Sequence, residues 1–432
     1  MVYKNITYLL LVLMIVSCGN DDVIGMQTDD DIVQPSSTPN ILLIIADDMG
    51  LDATPNYNIG SLKPNMPNLQ DLMSNGITFN NVWANPVCSP TRASILTGNY
   101  GTNNGVTRVG LQLNSTAHIV QNDMSNYATA LIGKWHLSND LNQPLAMGID
   151  YYAGILSGGV TDYESWSLVE NGATTTSNEY VTTKLTNLAI DWVNAQNQPW
   201  FLWMAYNAPH TPFHLPPTNL HTQGNLPTDQ ASINANRLLY YFAAIETLDT
   251  EMGRLLQSMT TEERENTIVI FIGDNGSPNQ VAQDYGQGKT KGTVYEGGIN
   301  VPMVISGKNV TRLNVLDNTL INATDLYDTI VELSGNSTTQ NNDSESFKEM
   351  LSNSVTGNRN YLFSEISYAN GTSDYAIRSL THKYIRFNDN SEAFFNLTDD
   401  MFENTNLLNQ TLSTSNLGVY NELKTELNVI LN

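Results

Sequence analysis

The segment Ile41-Leu42-Leu43-Ile44-Ile45 constrains the fold of this 432-residue chain more than any other part of it. Successive side chains of a strand point to opposite faces, so an unbroken apolar run needs cover on both sides. A central strand of a parallel sheet, with helices packed above and below, meets that need. Similar runs recur at Ala128 to Ile132, Phe201 to Ala205, Ile268 to Ile272 and Met303 to Ile305. Between them, Arg237 to Met259 places Leu238, Phe242, Ile245, Leu248, Met252, Leu255 and Leu256 at helical spacing, and Asp325 to Leu333 reads as another helix. The expected fold class is α/β, a large mixed, mostly parallel sheet flanked by helices. With 41% hydrophobic residues the chain can bury such a core.

The pattern changes after Ser334, where a polar stretch to Ser346 reads as a linker. Beyond it, Tyr361 to Glu365, Tyr375 to Ser379, Tyr384 to Phe387 and Ala393 to Leu397 read as short antiparallel strands, with a terminal helix around Asn421 to Ile430. The spacing predicts an α/β domain over 40–335 and a small C-terminal antiparallel-sheet subdomain over 346–432.

At the other end, Lys4 precedes an apolar run from Ile6 to Val16, then Ser17 and Cys18, the order of a secretory signal over 1–17. Residues 18–39 are polar and acidic and read as a flexible tether. Ile15-Val16-Ser17-Cys18 resembles a bacterial lipobox, in which cleavage leaves the cysteine as a lipid-bearing N-terminus. That resemblance implies an exported lipoprotein of the bacterial cell envelope, held to the lipid membrane through Cys18 and most simply in the outer membrane. Which face it occupies stays open. Acidic residues outnumber basic ones 43 to 19, for a net charge of −24, which excludes the basic footprint of a nucleic-acid binder. Two cysteines make neither a disulfide framework nor a cysteine-based zinc site.

Ligands of open α/β sheets collect outside the carboxyl ends of the strands. The first strand ends in Asp47-Asp48, and the strand from Ile268 ends in Asp274-Asn275. Three carboxylates and an amide oxygen at one sheet edge suit a hard cation, calcium or magnesium, rather than zinc. Elsewhere, Cys88 opens Cys-Ser-Pro-Thr-Arg-Ala-Ser, with Pro90 suited to a first helical turn and Arg92 one turn beyond the cysteine. A guanidinium beside exposed backbone N–H groups makes an anion site. Lys134 and His136, at i and i+2 just after a strand, share one face.

Cys88-Ser89-Pro90-Thr91-Arg92 is similar to the Cys-x-Pro-x-Arg signature of the type I sulfatases, of the alkaline-phosphatase superfamily. In that signature a maturation enzyme oxidises the cysteine to formylglycine. Asn40 to Gly50, Gly133-Lys134-Trp135-His136, Gly148-Ile149-Asp150, Ala208-Pro209-His210, Gly273-Asp274-Asn275-Gly276, Lys291-Gly292-Thr293 and Glu296-Gly297-Gly298 also resemble that family. The resemblance implies an alkaline-phosphatase-like fold, calcium in preference to magnesium, and ligands Asp47, Asp48, Asp274 and Asn275 with matured Cys88 near the ion. It further implies that Arg92 steadies the hydrated aldehyde, that Lys134 and Lys291 contact sulfate or the leaving oxygen, and that His136 and His210 handle protons. Lys289 is the alternative to Lys291. Implied partners are a sulfated glycan and a formylglycine-generating or sulfatase-maturing enzyme.

The chemistry explains the modification. A serine or cysteine nucleophile would be left carrying a stable sulfate ester, whereas a hydrated aldehyde has a second hydroxyl whose deprotonation expels sulfate. Imidazoles titrate near neutral pH, so His136 is assigned as base and His210 as acid. His118, His214, His221 and His382 are read as structural. Gly158-Gly159 with Tyr163 and Trp166 reads either as a sugar-facing loop or as core, and Arg378 and Arg386 either as substrate contacts or as surface ion pairs. The expected function is calcium-dependent hydrolysis of O-sulfate esters on carbohydrate. The alternatives are a phosphomonoester or phosphonate monoester hydrolase of the same superfamily, and an inactive sulfated-glycan-binding lipoprotein.

Overall fold

The computed structural model describes residues 38–355 and 357–432, so the signal, Cys18 and all of the tether but its last two residues lie outside the described residues. Ten strands form one sheet: β1 (Asn40–Ala46), β2 (Gly76–Trp83), β3 (Ala128–Lys134), β4 (Tyr151–Ile155), β5 (Trp166–Glu170), β6 (Ala173–Ser177), β7 (Trp200–Ala205), β8 (Thr267–Gly273), β9 (Met303–Gly307) and β10 (Val315–Asn322). Their order is β10-β2-β9-β8-β1-β7-β3-β4-β5-β6. The centre is parallel, with β1 between β7 and β8. Antiparallel pairs β2/β9, β8/β9, β4/β5 and β5/β6 make the sheet mixed.

Alternation in β1 divides the core. Ile41, Leu43 and Ile45 pack into the layer below helix Leu326–Leu333, and Leu42, Ile44 and Ala46 pack into the layer of helices Val181–Asn194 and Arg237–Ser258. Every residue of β1, β7 and β8 is buried. That double burial is what the unbroken apolar runs require.

A second sheet, β11 (Leu362–Ser367), β12 (Ser373–Arg378), β13 (His382–Arg386) and β14 (Glu392–Asn396), is antiparallel throughout. Helix Thr414–Ile430 packs on it through Leu423 and Leu427 and starts earlier than its apolar pattern suggests, because Ser413 caps it by accepting from Asn416 N. The polar stretch 334–346 is no loose linker. Asp343 accepts from Tyr100 N at 2.8 Å, Thr339 Oγ1 donates to Asp123, and Glu345 N donates to Asp325 Oδ1 at 2.9 Å.

Arg378 corrects an expectation. It is 4% exposed, not a surface residue, and pairs with Glu296 at 3.2 Å beneath the second sheet. Lys383 Nζ lies 3.1 Å from Glu296 and 2.8 Å from Glu403, and both cations sit over the Trp83 ring. Arg386 lies over Tyr375 and donates to Asn428.

Candidate active site

Because Ala46 pairs with Gly273 at the parallel ends of β1 and β8, Asp47-Asp48 and Asp274-Asn275 leave the sheet side by side. Asp48 N donates to Asp274 Oδ1 at 3.1 Å, and Asn275 Nδ2 donates to Asp48 Oδ1 at 2.8 Å. All four residues are buried. Asp48 has φ of 72°, a left-handed conformation that Asp tolerates better than most residues and that reverses the chain at the strand end. Tyr241 Oη holds the turn by donating to Asp48 O at 2.6 Å.

Cys88 is the first residue of helix Cys88–Thr97, and Pro90 sits in its first turn. One turn on, Arg92 commits its guanidinium: Nη2 donates to Asp274 Oδ2 at 2.7 Å, Nε to the same oxygen at 3.1 Å, and Nη1 to Lys134 O at 2.8 Å. The helix is thereby clamped to β8 and β3 together. Cys88 Sγ lies 3.2 Å from His136 Nδ1.

Lys134 ends β3, and its Nζ donates to Asp47 Oδ2 at 2.6 Å with no exposure to solvent. His136, two residues on, reaches the same cluster, as the i, i+2 spacing predicts. Its φ of 55° is uncommon for a residue with a side chain and marks backbone held against preference at the site. Lys291 Nζ donates to Asp48 Oδ2 at 2.6 Å. His210 Nδ1 lies 2.8 Å from Thr211 O, which fixes the proton on Nδ1, and Nε2 faces Asp48 Oδ2 at 3.8 Å. Asp47, Asp48, Cys88, Arg92, Lys134, His136, His210, Asp274, Asn275 and Lys291 thus meet in one place.

The electrostatics bear on what the place can hold. Burial opposes ionisation of Asp47, but Lys134, His210, Arg92 and Lys291 outweigh it and hold the carboxyl below its usual range. Burial and the neighbouring Asp47 carboxylate push Asp274 the other way, up to about 7. Crowded carboxylates of this kind repel one another. Asp47 Oδ1 and Asn275 Oδ1 are buried and accept no hydrogen bond. A buried acceptor left unpaired costs about 1–3 kcal/mol. Asn275 Nδ2 is committed to Asp48 Oδ1 and Gly276 O, which leaves its amide oxygen as the open valence. Three carboxylates and an amide oxygen, with one carboxylate oxygen and the amide oxygen unpaired, fit a hard divalent cation. Burial also pushes the Cys88 thiol up, so it stays protonated and is a poor nucleophile as it stands. Burial, Lys134 and Arg92 push His136 down to about 3, leaving a neutral ring.

Lys289 points elsewhere, donating to Glu403 O at 2.7 Å and Phe402 O at 3.2 Å. His118 pairs with Asp123 and His382 stacks on Phe394. Tyr163 and Trp166 are buried, which resolves that alternative in favour of packing. Yet Tyr163 has a part that residue type alone does not disclose. Its hydroxyl donates to His210 O at 2.6 Å and accepts from Asn207 Nδ2 at 2.8 Å, while its ring stacks on His214 at 4.0 Å. His214, read as structural, thus supports the loop carrying His210. Gly158 lies against the other imidazole: a Cβ there would stand 2.6 Å from His136 Cε1 and Nε2. The glycine pair was visible in sequence, but its contact with both histidines depends on the fold.

A sulfatase family model matches residues 39–336. An uncharacterized sulfatase, YdeN, of Escherichia coli K12 is 29% identical over 68% of this chain and 62% of its own length. Mouse arylsulfatase G is 27% identical over 69% of this chain and 65% of its own length, so the chain spans somewhat under two thirds of these two relatives. A sulfatase of Formosa agariphila is 25% identical over 88% of this chain and 86% of its own. Among solved structures, Ps i-CgsB in complex with k-i-k-neocarrahexaose superposes with a TM-score of 0.78 at 24% identity, covering 90% of this chain and 92% of that one. The fold agrees, the motifs converge at one sheet edge, and the matched segment contains all ten converging residues: the chain belongs to the sulfatase family.

Proposed function

We propose that this protein hydrolyses O-sulfate esters of carbohydrate, with Cys88 matured to formylglycine beside a calcium ion held by Asp47, Asp48, Asp274 and Asn275. The observation that carries the reading is the meeting, around residue 88, of two unpaired buried oxygen acceptors and three fixed cations, Arg92, Lys134 and Lys291. The bound cation would offset the carboxylate charge and the negative charge of a sulfate group. Formylglycine would supply a hydrated aldehyde, one hydroxyl to accept the sulfuryl group and a second whose proton loss lets sulfate leave.

The remaining work belongs to the chain itself. Lys134 and Lys291 hold fixed positive charge where a sulfate gains negative charge, and in a largely buried site that effect is large. Arg92 keeps the helix and its first residue aimed at the cluster. His136 Nδ1, neutral and 3.2 Å from the side-chain terminus of residue 88, is placed to take a proton there. His210, with Nδ1–H tied to Thr211 O, presents Nε2, which in its protonated form gives a proton to the departing alcohol.

Two solved relatives support a carbohydrate substrate: Ps i-CgsB in complex with k-i-k-neocarrahexaose, and BT4656 in complex with its substrate D-glucosamine-2-N,6-O-disulfate. Export as an envelope lipoprotein through Cys18 and maturation by a formylglycine-generating or sulfatase-maturing enzyme complete the proposal. The test is peptide mass spectrometry across Cys88 in protein from a host with that enzyme, together with sulfate release from a panel of sulfated oligosaccharides and a matched phosphate ester. An aldehyde at residue 88 and sulfate release faster than phosphate release are expected. A thiol in every preparation, or preference for the phosphate ester, overturns the reading.

A further inference from the structure

Beside His136, on the side away from Cys88, lies a hollow of about 150 Å³ that the catalytic roles leave unassigned. Val109, Gln112, His136, Asn139, Ser157 and Gly158 define it. Its frame is fixed by a chain of hydrogen bonds. Leu113 N donates to Leu137 O at 2.9 Å, Gln143 Nε2 donates to Leu113 O at 2.8 Å, and Trp135 Nε1 donates to Gln143 Oε1 at 3.0 Å. The loop bearing Val109 and Gln112 is therefore tied to the strand end that bears Lys134 and His136. Gly158 keeps the hollow open, since any side chain there would enter the space of the imidazole.

Its lining has a particular chemistry. The exposed side-chain amides of Gln112 and Asn139 have no partner among the described residues, and each offers a donor and an acceptor. Val109 and the neighbouring leucines supply apolar wall, and Val109 is 45% exposed. No Asp, Glu, Lys or Arg lines the space. Its volume is below that of drug-sized pockets, roughly 300–1,000 Å³, and suits a single ring.

We propose that this hollow seats an uncharged sugar ring, the unit next to the one that carries the scissile sulfate. The inference rests on the sulfatase reading for what occupies the adjoining catalytic cluster. A pyranose has hydroxyls for the two amides and C–H faces for Val109 and the leucines. A second sulfate or a uronate in the hollow would lose water with no cation lining the space to replace it.

The probe is Cys88→Ala protein, which needs no maturation, titrated calorimetrically with two disaccharides that share one sulfated unit. In the first the neighbouring sugar is neutral; in the second it carries another sulfate. The neutral-neighbour disaccharide is expected to bind at least tenfold more tightly. Val109→Trp, at an exposed position that tolerates bulk, is expected to weaken that disaccharide at least tenfold more than the sulfated monosaccharide. Tighter binding of the doubly sulfated compound, equal effects of Val109→Trp on both sugars, or no detectable binding of the neutral-neighbour disaccharide overturns the proposal. Matured wild-type protein that releases no sulfate from these compounds overturns the sulfatase reading instead, whatever the titrations show.

Discussion

At the carboxyl edge of the large sheet, Asp47, Asp48 and Asp274 face Arg92, Lys134 and Lys291; where the two sheets meet, Glu296 and Glu403 face Arg378 and Lys383. Both clusters are buried and both join distant parts of the chain. They differ in what is left open. Glu296 receives Asn300, Arg378 and Lys383, the two cations also rest on Trp83, and Glu403 Oε1, although it accepts no hydrogen bond, has Lys383 Nζ against it at 2.8 Å. At the sheet edge, Asp47 Oδ1 and Asn275 Oδ1 accept nothing, and Lys291 and His210 keep about a fifth of their side chains in solvent. A buried cluster in which each carboxylate has a cation within about 3 Å holds a fold together, whereas one with acceptors out of reach of any donor and with side chains open to solvent can take a ligand.

The comparison breaks first at Cys88→Ala. Sulfate release is expected to fall by on the order of 10⁴-fold or more, about 5 kcal/mol of barrier, in steady-state assays, with little change in the denaturation midpoint. Lys383→Met at the other cluster should do the reverse. Stripping the shared cation from Glu296 and Glu403 is expected to cost about 3–5 kcal/mol in chemical denaturation, while activity per folded molecule stays near wild type. A large loss of kcat in folded Lys383→Met would show that the closed cluster takes part in catalysis.

Glu365 is a buried carboxyl that accepts from Thr102 N at 2.6 Å and pairs with no cation among the described residues. Burial pushes it up to about 7. The folded state therefore holds a proton that the unfolded state gives up near 4.5, so stability falls as pH rises from about 4.5 to 7 and is level above that. Glu365→Gln removes the dependence, and its stability relative to wild type should grow over that window by on the order of 1–3 kcal/mol in urea titrations. A difference that stays flat with pH would mean that Glu365 ionises normally. The smallest effect is expected at Tyr163→Phe, which loses the hydrogen bond to His210 O. Here kcat should fall by roughly tenfold with KM little changed, since the residue orients a proton donor and touches no substrate.

Legibility in the sequence followed burial pattern and local motif. The runs at β1, β3, β7, β8 and β9 were readable because both faces are covered, and the ten converging residues because each sits in a short motif, at a strand end, at a helix start or, for His210 and Lys291, in a loop. Strands β2 and β10 escaped, since Asn80, Asn81 and the half-exposed Val315 to Asn322 interrupt their apolar pattern. Arg378 looked like a surface residue because its partner Glu296 is distant in sequence. The contacts of Tyr163 with His210 and of Gly158 with His136 depend on how the loop after β4 folds back, which no local spacing specifies.

If Asp47, Asp48, Asp274 and Asn275 form the cage of one divalent cation, calcium titration of chelator-stripped protein will show it. A single saturable site is expected, one that raises the denaturation midpoint with calcium concentration and that Asp47→Asn/Asp274→Asn abolishes. Absence of binding to the stripped wild type, or undiminished binding to the double variant, would contradict it.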